Sequence, residues 1–250
     1  MNAAILHVDG LVKRFGGLAA TDGATLEVRA GEVHALIGPN GAGKTTLIHQ
    51  IAGSLAPDAG RIVFDGDDVT ALPMPNRVRA GLARSYQITN VFGRLPVLDN
   101  LALAVQARSG SSLRFWRPAR AERARYDEAA AVAARVGLAD KLGRLANELS
   151  HGEQRQLEVG LALATNPKLL LLDEPMAGMG PDETARMLEF LQSLAGQVTI
   201  LLVEHDMDAV FRLAHRISTL VSGRVIACGS PEEIRAHPEV RRAYLGDELP

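Results

Sequence analysis

The sequence predicts an α/β domain with a mostly parallel core sheet, an antiparallel β side sheet and an inserted helical subdomain. Three observations lead there. Short apolar runs at Val33 to Ile37, Leu169 to Leu172 and Val198 to Val203 each precede residues that can carry chemistry, two alternating segments come before the first run, and composition shifts over residues 88 to 148. Apolar runs without alternation fit strands of a parallel sheet buried on both faces. The bulk figures agree: 250 residues, 47% hydrophobic, can bury one large core. A formal charge of -2 lacks the basic excess of a strong nucleic-acid binder. The single cysteine, Cys228, excludes an internal disulfide framework and a cysteine-cluster metal site, which suits the cytosol. No secretory signal is expected at the start, and Leu169 to Leu172 falls far short of the roughly 20 residues that span a bilayer.

Taken in order, Ile5 to Val12 alternates imperfectly up to the Gly16-Gly17 turn and Ala24 to Val28 alternates cleanly, so the two form the side sheet. Phe15 lies in the first; the pattern favours core, with stacking on a base as the other reading. Val33 to Ile37 then feeds Gly38, Pro39, Asn40, Gly41, Ala42, Gly43, Lys44, Thr45 and Thr46, which fit G-x-x-x-x-G-K-[ST]. A helix is expected from Lys44 to Leu55, with Leu47, Ile48, Ile51 and Leu55 on one face. That context turns a string match into a phosphate site. Glycines let the backbone wrap an anion, the helix N-terminus presents amide donors, Lys44 reaches the β- and γ-phosphates, and Thr45 offers its hydroxyl to Mg2+. ATP is the expected nucleotide, although the loop does not select the base.

Further along, Arg61 to Phe64 reads as a strand, Pro73 and Pro75 interrupt the next stretch, and Gly81 to Tyr86 reads as a strand running out of the main body. Helical patterns at Leu98 to Ala107 and Arg120 to Val136 flank a serine- and arginine-rich stretch with Phe115 and Trp116, which reads as a solvated loop ahead of a nucleic-acid or membrane element. The division is therefore 1–87 and 149–250 for the core, with 88–148 inserted. Leu169 to Leu172 delivers Asp173 and Glu174 at a strand end, where open α/β sheets bind ligands. One carboxylate directed at Mg2+ (Asp173) and one at the attacking water (Glu174) suits phosphoryl transfer. Val198 to Val203 ends in Glu204-His205-Asp206, so His205 leaves the same edge and can donate a hydrogen bond to a γ-phosphate.

With these markers the chain resembles the ATP-binding cassette family of transporter ATPases, over essentially its whole length. Leu149-Ser150-His151-Gly152-Glu153 looks like the LSGGQ signature of that family. The resemblance implies a P-loop nucleoside triphosphate hydrolase of ABC type, in which Ser150, His151 and Gly152 of one subunit close over ATP held by the loop of another. It also implies Gln87 as the residue joining the inserted helices to the metal site, His205 as the switch histidine and Phe15 as the adenine-stacking aromatic. Physically, Ser150 can both cap a helix and donate to a phosphate. His151 and Glu153 depart from the commoner Gly and Gln; Glu153 is expected to point away from ATP or to pair with an arginine of the following turn. Ala177 to Pro181 lacks the aspartate common at that place in the family, which implies altered coupling between subunits.

The Glu174-Pro175-x-Ala177-Gly178 run and the ending from Gly229 to Gly246 resemble ATPases of branched-chain amino acid importers. The ending also reads locally, with Ser230, Pro231 and Glu233 forming a capped helix start. The implied partners are a second ATPase subunit, the same or a homologous chain, transmembrane permease subunits and a periplasmic or extracellular substrate-binding protein. The implied place is the cytoplasmic face of the inner membrane, held through the permease. Importers of urea or short amides are the alternative; a soluble cassette of DNA repair or translation would show a coiled-coil insertion or a second cassette, and neither is present. Ile88, Val91, Phe92 and Leu95 are expected to line a groove for a permease helix, with Val97 and Leu98 packing inward.

Overall fold

The computed structural model describes residues 3–85, 91–108 and 123–245. β1 (Ala4–Phe15) and β2 (Leu18–Arg29) form a hairpin over the Gly16-Gly17 turn. Both outrun their alternating stretches because Gly10 and Gly23, at positive φ, take up register shifts as bulges. β3 (Val33–Ile37), buried throughout, leads into α1 (Lys44–Ala52). The helix stops at Gly53, left-handed at φ 79, so Leu55 lies beyond the helix face expected for it. β4 (Ala59–Phe64) and β5 (Asp67–Asp68) complete an antiparallel sheet in the order β2-β1-β4-β5. Pro73 and Pro75 do not interrupt the chain. They open α2 (Met74–Ala80), where a missing N–H loses no helical bond.

β6 (Leu82–Arg84) is followed by α3 (Val97–Arg108), α4 (Arg123–Arg135) and α5 (His151–Ala164). Then come β7 (Leu169–Asp173), α6 (Pro181–Leu194), β8 (Thr199–Val203) and α7 (Met207–Leu213). β9 (Arg216–Val221) and β10 (Arg224–Gly229) form a hairpin at Ser222-Gly223, before α8 (Pro231–Ala236) and α9 (Pro238–Val240). The main sheet runs β10-β9-β3-β8-β7-β6, parallel except for β10. The expected α/β architecture is therefore present, with one correction. β6 does not run out of the body: it is the edge strand, paired with β7 and tied through the Gly81 carbonyl to the Lys168 and Leu169 amides.

The sheet is buried on both faces, which is why its strands read as unbroken apolar runs. Leu170, Leu172, Ile200 and Leu202 pack under the layer of α3 to α6. Leu169, Leu171, Leu201 and Val203 pack on the other side with α1 and the antiparallel sheet. Each such side chain contributes about 1.5–3 kcal/mol when fully buried. The ends of the helical segment close on each other, with Val97 N–H on the Arg144 carbonyl and Ala146 N–H on the Leu95 carbonyl.

Candidate active site

Because β3, β8 and β7 are parallel neighbours, the segments that follow them leave one edge of the sheet together. The first is the loop Gly38, Pro39, Asn40, Gly41, Ala42, Gly43. A Cβ on Gly38 would stand 2.1 Å from the Leu220 carbonyl oxygen, and one on Gly43 2.0 Å from that of Ala20. Both glycines also sit at positive φ, so the loop's path requires them. Gly43 caps α1 without any side-chain cap, and no acid lies in the first helical turn, which leaves amide donors for an anion. Lys44 folds back over this loop, its Nζ 2.6 Å from the Gly38 carbonyl and 3.1 Å from that of Pro39. Burial lowers its pKa, and the nearby charges of Glu174 and Asp173 oppose that shift. Thr45 is exposed and Thr46 half-buried.

Asp173, 2% exposed, ends β7 and pairs with Arg84 at 2.9 Å. Glu174 follows at φ 50, a left-handed backbone that a glutamate enters only at a cost, and its N–H donates to the Val203 carbonyl at 2.9 Å. His205 follows β8 with an exposed ring, while the adjacent Glu204 is buried. Phe15 is not core. It is 52% exposed at the tip of the β1–β2 hairpin, with Lys13 Nζ 5.9 Å from its ring centroid. The pattern misled there because the hairpin end, where Phe15 still pairs with Leu18, extends past the core that covers the rest of the sheet. Gln87 and Ile88 lie outside the described residues.

Ser150 caps α5 in a reciprocal box: its Oγ accepts from the Glu153 N–H at 3.3 Å, and Glu153 accepts from the Ser150 N–H at 3.0 Å. The hydroxyl proton remains available to another acceptor. Glu153 forms the expected ion pair, with Lys141 rather than with an arginine of the following turn. His151 is exposed, and the Gly152 N–H donates to Glu183 Oε1 at 3.3 Å, so this glycine abuts α6 of its own chain. Among the described residues, no hydrogen bond joins residues 150–152 to the loop of residues 38–46. Sequence reasoning missed Arg84 and Glu183, whose partners lie far along the chain, and Glu204 looked like an ordinary strand-end residue.

This arrangement, an anion cradle and lysine facing two carboxylates and a histidine across parallel strands, suits transfer of a phosphoryl group to water. The family described as ABC transporter matches residues 21–177. The chain belongs to the ABC transporter family. A second family, the branched-chain amino acid ATP-binding cassette transporter, matches residues 224–249 of the cassette. The high-affinity branched-chain amino acid transport ATP-binding protein LivG of Salmonella typhimurium is 39% identical over 254 residues, covering 99% of this chain and 100% of its own. BraF of Pseudomonas aeruginosa, described in the same words, is 38% identical over the same shares. The lipopolysaccharide export system ATP-binding protein LptB of Haemophilus influenzae is 32% identical, covering 98% and 99%. Among solved structures, the ADP conformation of an ATP-binding cassette of an ABC transporter superposes with a TM-score of 0.85 at 29% identity, covering 98% of this chain and 100% of that one. A nucleotide-free cassette gives 0.84 at 30% identity over the same shares.

Proposed function

We propose that this cassette is the ATP-binding and ATP-hydrolysing subunit that energises import of branched-chain amino acids through a membrane permease. The ATPase reading is carried by the shared edge on which Lys44, Asp173, Glu174 and His205 stand. The residues also fit Mg2+. The exposed Thr45 hydroxyl at the start of α1 and the buried Asp173 carboxylate at the end of β7 would hold it, oxygen donors that suit an ion keeping waters and phosphate oxygens as most of its ligands. Mg2+ would neutralise charge on the β- and γ-phosphates. Lys44 exchanges its loop carbonyls for phosphate oxygens, Glu174 orients the attacking water and draws its proton, and His205 donates to the γ-phosphate. Phe15, exposed at the hairpin tip, offers a face to adenine.

The signature makes no bond to its own loop, which supports a site shared between chains: Ser150, His151 and Gly152 of a second ATPase subunit, the same or homologous, meet the ATP held at Lys44. We read residues 88–148 as an inserted helical subdomain, supported by the closure of residues 95–98 on 142–147. Its edge is the proposed permease contact. Asn100, fully buried, accepts from the Phe92 N–H and donates to the Phe92, Leu95 and Pro96 carbonyls, fixing a turn that leaves the Phe92 ring 60% exposed. A separate cavity of about 240 Å³, lined by Met74, Val78, Leu82 and Leu161, opens between α2 and α5 outside that subdomain, and Val91, Phe92 and Leu95 do not line it. No described helix is long and apolar enough to cross a membrane. Attachment to the cytoplasmic face through the permease is part of the same proposal.

The substrate reading rests on full-length similarity to LivG and BraF together with the match at residues 224–249. The test is copurification with the permease and a substrate-binding protein, followed by ATP hydrolysis in proteoliposomes. Stimulation by leucine, isoleucine or valine is expected; stimulation by urea or a short amide instead would reassign the substrate.

A further inference from the structure

Glu204 directly follows β8, beside His205, and is 1% exposed. A buried carboxylate is costly unless donors meet its oxygens. Here main-chain amides meet both: Oε1 accepts from the Met176 N–H at 3.0 Å and Oε2 from the His205 N–H at 3.2 Å. Met176 is the second residue after Glu174, so one side chain spans the segments that carry the two hydrolytic groups. We propose that Glu204 is a positioning residue for ATP hydrolysis, locking the Glu174 segment and the His205 segment into one unit. The proposal rests on the reading of Glu174 and His205 as groups that face the γ-phosphate.

Two features of the site require such a strut. Glu174 holds a left-handed backbone at φ 50, which persists only where its surroundings enforce it. Its own N–H is fixed to Val203 and the chain just beyond it is fixed to Glu204, so the strained residue is pinned on both sides. The residue type is also specific. Two converging N–H donors need two acceptor atoms, which a carboxylate supplies; a glutamine accepts on one side and presents its own NH2 to the other amide. Burial raises the pKa of Glu204 and the charge of Glu174 adds to that, while the two amides and His205 hold it down.

The experiment compares Glu204→Gln and Glu204→Asp with the parent in the full chain, reading ATP affinity, KM and kcat for phosphate release, and hydrogen exchange at the Met176 and His205 amides. Glu204→Gln is expected to keep KM within about threefold, to lower kcat about 10- to 100-fold through misplacement of the reacting groups, and to speed exchange at one of the two amides. Glu204→Asp, with two acceptors but a shorter reach, should fall between Gln and parent; it carries the same readouts should the Gln variant not fold. A kcat within twofold of the parent, or a loss shared equally by affinity and kcat with unchanged exchange, overturns the proposal. A parallel Glu174→Gln variant separates the two levels. Hydrolysis surviving there removes the reading of the base, whereas hydrolysis lost there but kept in Glu204→Gln removes only the strut.

Discussion

Replacing Arg77 by methionine should cost this cassette more stability than any other exposed or buried cation on α2. The guanidinium lies 1% exposed and donates only to carbonyls: Nη1 to Gln50 and Ile51 at 2.7 Å each, Nε to Leu72 at 2.9 Å and Nη2 to Thr70 at 2.9 Å. Gln50 and Ile51 belong to the last turn of α1, whose carbonyls have no partner within the helix. Arg77 therefore closes the C-terminal end of the helix whose N-terminal end faces phosphate. Burial pulls its pKa down to about 10, with Asp68 opposing, and it stays charged at neutral pH. Methionine fills much of the volume but donates nothing. The Gln50 carbonyl keeps the Gly53 N–H, while those of Ile51, Thr70 and Leu72 lose the Arg77 bond. At about 1–3 kcal/mol for the buried Ile51 carbonyl left unmet, less for the half-buried Thr70 and Leu72 carbonyls, and allowing for relaxation and relief of the buried charge, the net loss is about 3 kcal/mol. For a chain of this size that lowers Tm by roughly 6–12 °C. Arg77→Lys, a point donor that cannot span all four carbonyls, should lose less. Thermal unfolding followed by circular dichroism checks both. A Tm for Arg77→Met within about 2 °C of the parent would refute the reasoning.

Gly43→Ala should abolish ATP binding measured by a fluorescent analogue, because the new methyl meets the Ala20 carbonyl and a backbone at φ 102; binding within threefold of the parent would contradict the cradle. Phe92→Ala should leave the fold and soluble hydrolysis within twofold of the parent, since the ring is exposed and its turn is held by Asn100, yet reduce copurification with the permease several-fold. Equal loss of hydrolysis in the isolated chain would point instead to a packing role.

Much of the core was legible because parallel strands buried on both faces leave an unmistakable trace, and because chain order alone brings the ends of β3, β7 and β8 to one edge. Leu169 to Leu172 could be read as a strand, and Asp173 and Glu174 placed at its end, without any tertiary information. Legibility failed where a local signal had two meanings. Proline can break a segment or start a helix, and Pro73 and Pro75 start α2. A three-residue strand such as β6 carries too little pattern to show whether it joins a sheet, so its place at the edge and the pairing of Arg84 with Asp173 stayed hidden. The β9–β10 hairpin did have a visible sign in Ser222-Gly223, both at positive φ in the fold. Glu204 and Glu183 each reach one main-chain amide distant in sequence, that of Met176 and that of Gly152, and no spacing rule reveals such partners.

In the proposed mechanism Glu174 serves hydrolysis while the loop at Lys44 holds the nucleotide. The direct measurement is phosphate release by Glu174→Gln at saturating ATP and Mg2+, with ATP affinity determined on the same sample. The substitution keeps shape and removes the charge that acts on water, so affinity should stay within about threefold while release falls by at least about 100-fold. Release near the parent rate from a variant that binds ATP normally would contradict the assignment.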